Sequence, residues 1–148
     1  MHVSISKLLG KKISLAWLSD YTAMYLEIGN LQNGKIYLNG KIGRPIGEYT
    51  IYVGYNWRIE RSKSIIGGAK FSKTRLERFA RMLIGKEIIA INRFGRIPEI
   101  SIEISRNLWI STFSMDGEQP EWSIRLGENP ARWLCTENGI LTIDKRNL

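Results

Sequence analysis

The chain contains one cysteine and one histidine. Cys135 has no second cysteine to pair with, and His2 is the second residue. Ordinary Cys/His zinc sites are thereby excluded, and Ser-His or Cys-His catalysis lacks its base. There is no GxGxxG and no GxxxxGK[ST]. The segment Gly40-Lys41-Ile42-Gly43-Arg44-Pro45-Ile46-Gly47 has glycines at the wrong spacing for a phosphate loop and reads as a turn-rich connection. Carboxylates are scattered; Glu99 and Glu103 flank an Ile-rich strand and read as solvated groups. Apolar runs such as 13–18 are far too short to span a bilayer. The N-terminal residues lack the charged region, long apolar core and small-residue site of a signal peptide, so a cytoplasmic protein with no membrane partner is expected. Valine is nearly missing, with two against 22 isoleucines. The expectation from these absences is a protein with no catalytic residues, no metal and no cofactor, and hence not an enzyme.

What is present is ordinary for a globular chain: 148 residues, 43% hydrophobic and 24% charged. That length suits a single domain, 1–148. The net charge of +8 is unevenly distributed. Residues 1–57 carry six basic and three acidic groups (+3), 58–96 eleven and three (+8), and 99–144 three and eight (−5). A basic middle followed by an acidic half suggests two faces for different neighbours.

Most of the chain alternates with period two, which places one set of side chains on one face of a sheet. Ile13, Leu15 and Trp17 form one set; Met24, Leu26 and Ile28 another; Ile36 and Leu38 a third. Tyr49, Ile51 and Val53 follow, then Trp57 and Ile59. Ile100, Ile102 and Ile104 alternate most clearly, before Leu108 and Ile110, then Trp122, Ile124 and Leu126. Asn33-Gly34, Asn39-Gly40 and Asp116-Gly117 read as hairpin breaks. The period changes once. Ser72 caps a helix over 73–84, with Leu76, Phe79, Ala80 and Leu83 as its apolar stripe and Gly85 as its stop. Asn129-Pro130 and Asn138-Gly139 punctuate a second, shorter helix, with a strand at 133–135 as the alternative.

The chain also echoes itself. Leu8-Leu9-Gly10-Lys11-Lys12-Ile13 resembles Leu83-Ile84-Gly85-Lys86-Glu87-Ile88, and Met24–Asn30 resembles Ile100–Arg106, at offsets of 75 and 76 residues. Trp57-Arg58-Ile59-Glu60 and Trp122-Ser123-Ile124-Arg125 follow in the same order. The expected fold is α+β: two four-stranded antiparallel sheets from pseudo-duplicated ββββα units, about 6–84 and 83–143, with one main helix near 73–84. Ile100, Ile102 and Ile104 should pack against Met24, Leu26, Trp57 and Trp122.

Two surfaces stand out. The tryptophans at 17, 57, 109, 122 and 133 suit either core filling or base stacking, and core filling is preferred. Trp109 is the best candidate for exposure, because Leu108 and Ile110 point the other way. The acidic residues Asp116, Glu118, Glu121 and Glu128 suit a basic protein, with Trp109 beside them as an aromatic anchor. The alternative is a phosphate-binding patch of Arg58, Arg61, Lys73, Arg75, Arg78 and Arg81, or else a solvated helix face.

The Leu-Leu-Gly-Lys strand, the Ile-rich strand and Tyr52-Val53-Gly54-Tyr55-Asn56-Trp57-Arg58-Ile59-Glu60 resemble small bacterial immunity proteins of polymorphic-toxin and contact-dependent growth inhibition systems. Asn107-Leu108-Trp109-Ile110-Ser111-Thr112-Phe113 and Glu121-Trp122-Ser123-Ile124 fit the same pattern, which covers about residues 6–143. The doubled order of strands and helix also resembles the Whirly fold of single-stranded-DNA-binding proteins. The Lys-Gly-Lys-Ala-Ala-Leu motif of those DNA-binding members is absent, which puts nucleic-acid binding in doubt. The resemblance implies stoichiometric occlusion of one cognate toxin C-terminal domain, a nuclease, by a monomer in a 1:1 complex. Single-stranded DNA or RNA binding through 58–96 is the alternative.

Overall fold

A computed structural model describes residues 3–19, 22–115, 121–127, 132–137 and 140–144. A one-turn helix α1 (Val3–Ser6) precedes strands β1 (Ile13–Ser19), β2 (Ala23–Ile28), β3 (Tyr49–Val53), β4 (Trp57–Arg61) and β5 (Ser64–Gly68). Helix α2 (Lys73–Leu83) then leads into β6 (Ile88–Phe94), β7 (Glu99–Ile104), β8 (Leu108–Thr112), β9 (Trp122–Leu126), β10 (Arg132–Glu137) and β11 (Ile140–Asp144). α2 forms where the period changes. The Ser72 hydroxyl accepts from Arg75 N, Leu76, Ala80 and Leu83 are buried, and Gly85 takes a φ of +89° just past the end.

The strands form two antiparallel sheets. Sheet 1 has six strands in the order β1-β2-β3-β9-β10-β11, and sheet 2 has five in the order β5-β4-β8-β7-β6. The expected four-stranded meanders are therefore corrected. After β3 the chain leaves sheet 1 and lays β4 and β5 beside β8. After β8 it leaves sheet 2 and lays β9 and β10 beside β3. Each sheet thus takes three strands from one half of the chain and two from the other, before β11 is added. Alternation shows which residues share a face but carries no information on which strand lies alongside, so the exchange leaves no mark in it.

The joint between the sheets is reciprocal. Gly10 N donates to Ile88 O and Gly85 N to Ile13 O, both at 2.7 Å. Ile13 N donates to Lys86 O (2.8 Å) and Ile88 N to Lys11 O (3.0 Å). Each bond recurs 75 residues on with donor and acceptor halves exchanged. Farther out, each half repeats a bond of its own: Gly29 N donates to Lys12 O and Ser105 N to Glu87 O, both at 2.9 Å. The indole N–H of Trp57 reaches Thr22 O and that of Trp122 reaches Pro98 O, also at 2.9 Å.

One apolar core lies between the sheets. Ile100, Ile102, Ile104, Met24, Leu26, Trp57 and Trp122 all belong to it, as expected, together with Leu76, Ala80 and Leu83 from α2. Three expectations of detail are overturned. Leu15 and Trp17 do not share a face with Ile13. A bulge between Ile13 and Leu15 shifts the register, so Ile13 and Ala16 turn inward while Leu15 and Trp17 turn out. Residues 132–137 are strand β10, the alternative kept for 133–135, and not the short helix; they pair with both β9 and β11. Ile36 and Leu38 are not core residues. They lie on an arm, residues 29–48, whose Asn39-Gly40 tip is the turn, while Asn33-Gly34 falls along its length with Gly34 buried. The Asp116-Gly117 break lies outside the described residues.

Ile102 is fully buried on β7, with Ile91 and Ile110 as its cross-strand neighbours. An aspartate there would be an unpaired charge in the core, so Ile102→Asp is expected to cost about 4 kcal/mol or more. A thermal melt within a degree or so of wild type would overturn the core assignment.

Candidate functional site

Of the acidic residues singled out, Asp116, Glu118 and Glu128 lie outside the described residues. Glu121 lies within them, and it is not a surface charge. It is 7% exposed. Its Oε2 accepts from Tyr55 N (2.9 Å) and Asn56 N (3.1 Å), and its Oε1 from Asn56 Nδ2 (2.9 Å). Residues 54–56 are where the chain crosses from sheet 1 to sheet 2. Main-chain N–H groups at such a crossing have no ladder partner, and the carboxylate supplies one. Glu99, read as solvated, is likewise buried. It accepts from Ser114 N and Thr112 Oγ1, both at 2.6 Å, where the chain leaves sheet 2. Both crossings are fastened by a buried carboxylate: Glu121 reaches across from the other half of the chain, and Glu99 from the neighbouring strand β7 of the same half.

Trp109 lies on β8 with its side chain on the outer face of sheet 2, half-buried. Its register partners are Glu103 on β7 and Glu60 on β4. Glu60 is engaged: its Oε1 takes Arg58 Nε at 2.6 Å, and Ser111 Oγ lies 3.4 Å from its Oε2. The Arg58 guanidinium lies 4.5 Å from the Phe113 ring centre. The acidic neighbours of Trp109 are thus residues 60 and 103, which sequence reasoning did not select. The outward direction of Trp109 follows from its flanking Leu108 and Ile110, whereas its lateral neighbours depend on strand order.

The six basic candidates are divided between β4 and α2. Lys73, Arg75, Arg78 and Arg81 are exposed on α2, with Arg75 stacked 3.8 Å from the Phe71 ring centre. Arg61 is exposed at the end of β4. Arg58 belongs to the outer face of sheet 2, partly neutralised by Glu60.

The outer face of sheet 1 differs. Trp17 and Tyr25 stack at 4.3 Å, and Tyr52 continues the row 5.0 Å from Tyr25. The arm closes over this face. Arg44 lies 4.1 Å above the Trp17 ring, and Gly47 N donates to the Glu27 carboxylate at 3.0 Å. Glu27 is buried and also accepts from Thr50 Oγ1 at 2.6 Å. Arg125 bridges Thr50 and the Gly47 carbonyl; burial pulls its pKa down while the nearby Glu27 charge opposes this. A side chain at Gly47 would put its Cβ 2.6 Å from the Ile28 main chain, so only glycine lets the arm lie this close. Glu48 pins the root, accepting from Asn30 N (2.8 Å) and pairing with Lys11 (3.2 Å). Beside this root is a cleft of about 510 Å³ lined by Lys7, Gln32, Asn33, Tyr49 and Arg125. Among the described residues no three His, Cys, Asp or Glu side chains are placed to hold a metal ion.

No family model matches the chain, and no curated protein or solved structure matches it.

Glu121→Ala is expected to lose about 1–3 kcal/mol of stability, since it strands buried donors. A urea midpoint equal to wild type would return Glu121 to the surface. The Asn30 amide and the Lys11 ammonium hold the Glu48 carboxyl below its ordinary value. Its contribution is therefore full above the unfolded carboxylate pKa and is lost as pH falls through the folded value. The pair is a third exposed, so the effect is small. Stability of Glu48→Gln should fall less steeply on acidification than wild type; parallel acid limbs would sever Glu48 from the root.

Proposed function

We propose that this chain is an immunity protein that binds a cognate toxin domain, a nuclease, and neutralises it by stoichiometric occlusion without chemistry. The observation that carries the reading is Trp109. It lies on β8, the middle strand of sheet 2, faces outward, and stacks on no described ring. Its counterpart on the other sheet, Trp17, is closed in by Tyr25 and Arg44. A half-dry indole between carboxylates is the composition of an interface anchor. Glu103 has no ion-pair partner among the described residues and supplies a negative charge to a basic substrate channel. An interface of roughly 800 Å² per partner would close such a channel. The resemblance carried by Tyr52–Glu60 points the same way. In this reading the frame is a duplicated, Whirly-like unit whose halves have exchanged their last strands. The protein acts in the cytoplasm as a monomer in a 1:1 complex.

A second reading is single-stranded nucleic-acid binding. Lys73, Arg75, Arg78 and Arg81 on α2 are exposed with only Glu77 to offset them on that helix. A salt-dependent shift of a generic oligonucleotide would favour it.

The test begins with whether a large secreted protein is encoded directly before this gene, and proceeds by co-expression with that protein's C-terminal domain; the absence of such a neighbour would count against the reading. Trp109→Ala and Glu103→Lys should each weaken complex formation at least about tenfold, with melting unchanged. Arg75→Glu/Arg78→Glu/Arg81→Glu should protect fully. The reverse pattern would move the interface to α2.

A further inference from the structure

We propose that the 29–48 arm is a membrane-docking element whose tip enters the surface of an anionic bilayer. This goes beyond the toxin-binding reading and does not rest on it. The second half of the chain joins β7 to β8 with residues 105–107 alone, whereas the first half joins β2 to β3 with the whole arm. Paired at Gln32–Ile46 and Ile36–Ile42, the arm projects an apolar tip: Ile36 is 71% exposed, Tyr37 53%, Leu38 111% and Ile42 67%. A monomer in water rarely clusters such side chains without use.

The chemistry at the tip selects the partner. No acidic residue occurs from Gly29 to Gly47, while Lys35 and Lys41 flank the apolar residues. That is the complement of an anionic headgroup layer over hydrocarbon. Arg44 is held on Trp17 at the root, so the two lysines are the cations available at the tip. Part of the tip's backbone polarity is met internally. Tyr37 N donates to Lys41 O (2.8 Å), Gly40 N to Tyr37 O (2.9 Å), Lys41 N to Asn39 Oδ1 (3.0 Å) and Gly43 N to Lys35 O (2.7 Å). A tip entering lipid must pair its N–H groups internally, because hydrocarbon offers no acceptors. A nucleic-acid site would need more stacking rings than the single Tyr37. Among the described residues no helix is long and apolar enough to cross a membrane, so the arm would lie on one leaflet.

The test is co-sedimentation of the full chain with vesicles of phosphatidylcholine alone and of an equal mixture with phosphatidylserine. Binding to the mixed vesicles and not to phosphatidylcholine, weakened by salt, is expected. Leu38→Asp should weaken it at least about tenfold, and Lys35→Glu/Lys41→Glu should remove the preference for phosphatidylserine, both with unchanged melting. Arg75→Glu/Arg78→Glu/Arg81→Glu should still bind. Failure of the wild-type protein to sediment with mixed vesicles would overturn the proposal. So would binding indifferent to Leu38→Asp but lost in the α2 variant, which would mean general charge attraction. If Leu38→Asp abolishes toxin binding and wild type ignores vesicles, the arm belongs to a protein partner and the membrane proposal fails.

Discussion

Four main-chain hydrogen bonds between residues 10–13 and 85–88 set the geometry of everything else. They tie the start of β1 to the start of β6, so the first strand of each sheet is anchored on the other. Gly10 and Gly85, with φ of +82° and +89°, turn the chain into this joint. Immediately beyond it, each strand carries a bulge, between Ile13 and Leu15 and between Ile88 and Ala90. The bulges orient the strands over the common core: Ile13 and Ile88 go in, and Trp17 goes out. On the far side, the Trp57 and Trp122 indoles bond to Thr22 and Pro98. Large side chains are thus locked at the point where the strands exchange sheets.

The exchange has a chemical consequence. A chain that leaves a sheet abandons its ladder partners, and its amides need other acceptors. Glu121 and Glu99 fill that need, so two of the most conspicuous carboxylates in the acidic half hold the frame together and are withdrawn from the surface. Charge available for recognition is therefore less than the composition of 99–144 suggests. The carboxylates left facing outward on sheet 2 sit on either side of Trp109, and one of them is already matched by Arg58.

The helix was legible because everything that specifies it is local: Ser72 as cap, Leu76, Ala80 and Leu83 at helical spacing, Gly85 as stop. The core faces of β2, β3, β7, β8 and β9 were legible from alternation alone. The bulges were not, since one inserted residue reverses every later side chain while leaving the alternation intact. Residues 132–137 were left open between helix and strand because Asn-Pro and Asn-Gly punctuate both, and it is the strand that forms. Ile36 and Leu38 were misjudged because alternation cannot tell a strand packed on a core from an arm in water. At the candidate site, the direction of Trp109 followed from its two neighbours in sequence. Glu60 and Glu103 became its neighbours only through the order β4-β8-β7, which is a non-local fact.

The two sheets then differ in one respect that bears on function. Their first five strands follow the same order, yet the connection after the second strand is long in sheet 1 and three residues long in sheet 2. The long connection folds back over its own sheet, covering the Trp17–Tyr25 stack and burying Glu27 against Gly47. Among the described residues no such connection reaches the Trp109 face. One insertion therefore closes one face and presents an apolar tip, while its lack on the other side leaves an indole and its carboxylates open. Since the reciprocal joint holds both halves to one geometry, this departure from it is where the chain's surfaces become distinct. A frame that needs both sheets to stand can then carry two separate contacts, one on each.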